Sequence, residues 1–95
     1  MFDRDEALAK VGKAIEVHHS VDEAGEVCMV YSQDIPEGTR GRVVHANLVH
    51  RFTDTDYDRV AVFDVYEVVI EWNTPGRDIE LFGKSEYTLF LTELT

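Results

Sequence analysis

Asp54, Asp56 and Asp58 stand at alternate positions, the spacing by which a calcium-binding loop offers carboxylate oxygens to a hard cation. The pattern then breaks, because Arg59 falls where such a loop needs glycine and Val65 falls where it needs its bidentate glutamate. The stretch therefore reads as a solvated acidic loop with no metal. Four histidines, His18, His19, His45 and His50, are the other candidate ligands, but neither a Cys-x-x-Cys nor a His-x-x-x-His spacing accompanies them. His19 and His45 both flank segments able to pair as strands, which makes them the one alternative metal pair. Cys28 and Ser85 have no nucleophile motif around them. Glu67 and Glu71 share a strand face, a coincidence that 19 acidic residues in 95 produce readily. No catalytic residue and no cofactor is expected.

Charge narrows the partners. Nineteen acidic against nine basic residues give a net charge of −10, and no lysine or arginine cluster opposes that field. Affinity for nucleic acid comes largely from cations that neutralise phosphates, so nucleic acid is excluded as a partner. The longest apolar runs, such as Val60-Ala61-Val62-Phe63, fall far short of the ~20 residues of a membrane span. Residues 1–6 lack the basic start and apolar run of a signal peptide, and the single Cys28 forms no internal disulfide, which together point to the cytoplasm. Between Val27 and Met29, Cys28 reads as a small core residue.

Ninety-five residues make one domain, with a helical extension over 1–12 and a β-rich body over 13–95. Asp3 and Glu6 have capping-box spacing, Lys10 suits the end of a short helix, and Gly12 suits the turn beyond it. Phe2, Leu8 and Val11 are its expected buried stripe. The period then changes to two: Ile15, Val17 and His19 share a face, and residues 26–31 are β-prone across a turn at 22–25. Pro36 and Gly38 form a tight corner leading into a strand over 42–46. Residues 47–59 read as a long exposed loop. In the stretch 60–73, Tyr66, Val68, Ile70 and Trp72 lie on one face, with a bulge expected near Phe63 and Asp64. A turn at 73–76, a short strand at 79–82 and a turn or single helical turn at 84–87 follow, and residues 89–94 close the domain as strand or short helix.

Short strands joined by Gly and Pro bends suggest a small β-barrel, which leaves no exposed sheet edge. The run Ile35-Pro36-x-Gly38-Thr39-x-Gly41-x-Val43-Val44, with the later Tyr66-x-Val68-x-Ile70-x-Trp72 strand and the closing segment 82–91, resembles SH3-like barrels of the small bacterial and photosynthetic type. That family includes a photosystem I accessory subunit and the variable chain of ferredoxin–thioredoxin reductase. The resemblance implies a mainly β fold, an SH3-like barrel of five to six strands over 13–95 behind the short N-terminal helix. In it Gly38 lets the chain reverse and Gly41 leaves room for a neighbouring backbone. Docking an acidic electron carrier needs basic residues that this chain lacks, so the fold carries over and the binding residues do not.

A noncatalytic interaction or accessory module follows as the expected function. Small barrels carry recognition on their loops, which makes Asp54, Asp56, Tyr57 and Asp58 the expected partner-binding residues and a protein the expected partner. The alternative is a small metal-binding or catalytic protein built on the histidines and the acidic loop.

Overall fold

Asp3 caps the first helix as its spacing to Glu6 predicts. Its carboxylate accepts from the Glu6 N–H at 2.8 Å, and the Glu6 carboxylate accepts from the Asp3 N–H at 3.2 Å. The computed structural model describes residues 1–21, 23–29, 31–32, 34–56 and 59–94, and only the backbone of Val21, Cys28, Asp56 and Arg59. Helix α1 spans Arg4–Lys10, and Gly12 beyond it takes a φ of 92°, open to glycine without strain. The helix buries Ala7 and the preceding Phe2, whereas Leu8 and Val11 are exposed. Seven residues make barely two turns, and the side resting on the sheet is the one carrying Ala7, small enough for close approach.

The strands are β1 (Ala14–Val17), β2 (Ser20–Val21), β3 (Val27–Met29), β4 (Arg40–Asp56), β5 (Arg59–Trp72), β6 (Ile79–Phe82) and β7 (Leu91–Glu93). Helix α2 (Lys84–Phe90) separates the last two strands, so of the turn or single helical turn expected at 84–87 the helical one forms, and the closing segment is helix followed by strand. Five strands form one antiparallel sheet in the order β6-β5-β4-β1-β7, and β2 pairs with β3 in a separate hairpin. The fold is mainly β. The hydrogen-bonded sheet is open, with β6 and β7 as its end strands. Among the described residues no helix is long and apolar enough to cross a membrane.

The core draws side chains from the five-stranded sheet and from both helical segments: Phe2, Ala7, Ile15, Val43, Val68, Ile70, Trp72, Phe82, Tyr87 and Leu91 are buried. Val68, Ile70 and Trp72 are the face that period-two alternation predicts. Gly41 explains its own identity, because a Cβ there would lie 2.8 Å from the Glu71 carbonyl oxygen and 2.9 Å from Trp72 Cε3. Gly38 turns the chain with a φ of 89°, and its N–H donates to the Val17 carbonyl at 2.9 Å.

The segment 47–59 corrects the sequence reading. Its described residues up to Asp56 continue β4, which pairs with β5 without interruption from Leu48 opposite Tyr66 to Asp56 opposite Arg59, apart from one register shift. The expected bulge at Phe63 and Asp64 is absent from β5. The irregularities fall on β4 instead, where Val44 and Val49 are passed over in the register.

Candidate functional site

Beyond the core, β4 and β5 continue alone. β1 pairs with β4 only from Arg40 to Arg42, and β6 pairs with β5 only from Val68 to Glu71. The remainder is a two-stranded ribbon of ten residues in one strand and nine in the other. At about 3.3 Å per residue it reaches roughly 30 Å. The molecular dimensions record it: the extents are 50 × 33 × 23 Å and the radius of gyration is 15.7 Å. A compact chain of this length would give a radius of about 12 Å.

Alternation along β5 puts Phe63 and Val65 on the face opposite Tyr66, Val68 and Trp72. Phe52 pairs across the strands with Phe63, and His50 with Val65, so these four share one face. The His50 and Phe52 rings meet edge to face with centroids 4.1 Å apart. Phe52 is 47% exposed, Phe63 56%, Val62 55% and Val60 65%. On the other face Arg51 grips Asp64 with two hydrogen bonds of 2.7 and 3.1 Å. The guanidinium holds the Asp64 carboxyl below its ordinary range, and the Asp64 carboxylate in turn pushes Arg51 up. The pair neutralises the one charge between residues 60 and 66.

Where the ribbon leaves the body, the N-terminal segment lies against its edge. The Tyr66 N–H donates to the Phe2 carbonyl at 3.0 Å. A groove of about 400 Å³ opens beside that contact, between Met1, Phe2 and Asp3 on one side and Phe52, Phe63, Asp64 and Val65 on the other.

The expected site residues fall unevenly on this ribbon. Asp54 is exposed on β4 opposite Ala61. The Asp56 backbone pairs with Arg59, while Tyr57 and Asp58 lie outside the described residues. The alternative metal pair takes different roles: His19 Nδ1 lies 3.4 Å from a Glu37 carboxylate oxygen, and His45 sits on β4 opposite Val69. Among the described residues no three His, Cys, Asp or Glu side chains gather as a metal site requires. Gly41 and the Pro36–Gly38 corner serve the body, as their chemistry predicts. Phe52 escapes the sequence reading because a loop over 47–59 discards alternation, and Val60, Val62 and Phe63, though inside the expected strand 60–73, are not marked there as a binding surface. The available signal was Thr53 and Thr55 alternating with Asp54 and Asp56, a β-branched strand pattern as well as a ligand spacing.

Compared with family models, with curated proteins and with solved structures, the chain matches none.

Proposed function

We propose that the protein is a noncatalytic protein-interaction module, a small SH3-like barrel that holds its partner with the ribbon of β4 and β5. The observation that carries this reading is the ribbon's exposure of half-bare Phe52 and Phe63 on a pair of strands that the body does not cover. Two-stranded ribbons are at best marginally stable in water, and exposed apolar surface of this extent marks interaction sites. The strand order supports the barrel: β1 lies between β4 and the last strand β7, which brings the chain's end beside its first strand as a small barrel does. The partner is a protein, since the net charge of −10 disfavours polyanions and the ribbon exposes the apolar side chains of Phe52, Val60, Val62 and Phe63.

Affinity capture with the full chain and with a Phe52→Ser, Phe63→Ser double variant, at low and moderate salt, tests the reading. Both residues lie outside the core, so the variant keeps its fold and loses the captured protein. Equal capture by the two chains contradicts the proposal.

A further inference from the structure

We infer that the open edge of β5 is the site of pairing with a second copy of this chain, antiparallel about a two-fold axis through Val62. The inference rests on the interaction-module reading and names the partner. Its first support is the direction of the backbone groups. The Tyr66 N–H points away from β4, toward Phe2, and the Trp72 N–H likewise points outward to the Asp78 carbonyl. With a period of two and no register shift within β5, Val60, Val62 and Asp64 present their N–H and C=O groups on that same outer edge. Among the described residues nothing pairs with these three. Phe2 occupies the edge at Tyr66 and stops any pairing from extending further toward the body.

Three consecutive outward residues are self-complementary. Antiparallel pairing centred on Val62 sets Val62 opposite its own copy and Val60 opposite Asp64, so every vacant group on this edge meets one of its kind in a closed two-fold pair. The same register places Phe63 beside the small Ala61 of the other copy, which leaves room for the Phe63 ring. Charge does not oppose it locally, since Asp64 is the one charge from 60 to 66 and Arg51 already neutralises it. Strands that must stay unpaired carry lysine, proline or a bulge at the edge, and residues 60–66 carry none. Pairing along this edge covers the outward backbone of residues 60–64 and the adjoining flanks of Val60, Val62 and Phe63, each more than half exposed.

Sedimentation equilibrium of the full chain, combined with amide hydrogen exchange, tests this. The expected result is a dimer at about 100 μM, with the Val60, Val62 and Asp64 amides protected at least tenfold more than in a dilute, monomeric sample. Raising salt from about 0.05 M to about 0.5 M tightens the dimer, because screening relieves repulsion between two acidic bodies. Val62→Pro removes a donor that the ribbon itself does not use, and Val62→Lys places a charge on the axis; both yield monomers. A wild-type monomer at this concentration in high salt overturns the inference, as does a dimer whose Val62 amide exchanges freely. A monomer whose capture of another protein is lost with Phe52→Ser and Phe63→Ser overturns the second-copy assignment and leaves the module standing. A monomer with capture unchanged by that variant overturns both.

Discussion

Phe52 and Phe63 face each other across β4 and β5 on the side of the sheet opposite the core, each about half exposed. Two large aromatic rings kept in water on an unsupported ribbon gain their full burial only when another surface covers them. The body's stability comes from elsewhere, from the cluster around Trp72, Phe82 and Val43. The predictions separate these two parts.

Gly41→Val is expected to destabilise the body by about 1–3 kcal/mol, because the added side chain meets the Glu71 carbonyl and the Trp72 ring and the backbone must shift. Gly38→Ala acts differently: there is open space around it, but its φ of 89° strains any other residue, at about 1–2 kcal/mol. Denaturant unfolding of both variants checks this. A wild-type midpoint for Gly41→Val would contradict the close packing of β4 on β5.

Trp72, 1% exposed and packed edge to face on Phe82, is expected to emit at short wavelength and to resist quenching by iodide. Its indole N–H has no acceptor among the described residues, which keeps the emission blue. Emission typical of a hydrated indole would place the core on the wrong face of β5.

These two positions also show why the body was legible in the sequence and the ribbon was not. Gly41 and the Tyr66 to Trp72 alternation are fixed by short-range geometry, close approach in one case and pleat in the other. The Asp3 and Glu6 cap is equally local. Residues 47–56 have the same period of two, but their strand state depends on pairing with residues 59–67 and not on burial, so no apolar face announced it. Leu8 and Val11 failed for a related reason: the side of α1 that meets the sheet is chosen by the small Ala7, and apolar spacing alone does not reveal that choice.

Proton equilibria of three carboxyls are expected to part company. The Lys84 ammonium, followed by the Asp3 backbone, holds Glu6 below its ordinary 4.5, and the Arg51 guanidinium holds Asp64 below 3.8. Partial burial, followed by the charge of Glu86, raises Glu80 above 4.5. The first two contribute stability that is present above their unfolded values and lost as pH falls through their folded values. Glu80 contributes in the opposite sense, favouring the fold when protonated and losing that contribution as pH rises through its raised value. A carbon-detected NMR titration of the carboxyls checks the order, and a Glu80 midpoint below that of Glu6 would contradict it.

Replacing residues 51–64 by Asn-Gly, which joins His50 to Val65 through a tight hairpin turn, is expected to leave the body folded. The core cluster includes no residue from this segment, and shortening the connection changes closure entropy by about 1 kcal/mol or less. A dispersed amide spectrum with Trp72 still shielded is the expected outcome. Collapse of that spectrum would make the ribbon part of the folding unit.

The claim that the ribbon is the surface a partner covers is tested most directly by photo-crosslinking. A photoreactive phenylalanine analogue is placed at Phe63 on the ribbon, or at Leu81, a comparably exposed position on β6. The account predicts a covalent protein adduct, to a second copy or to another chain, from position 63 and none from position 81. An adduct from position 81 with none from position 63 would contradict it.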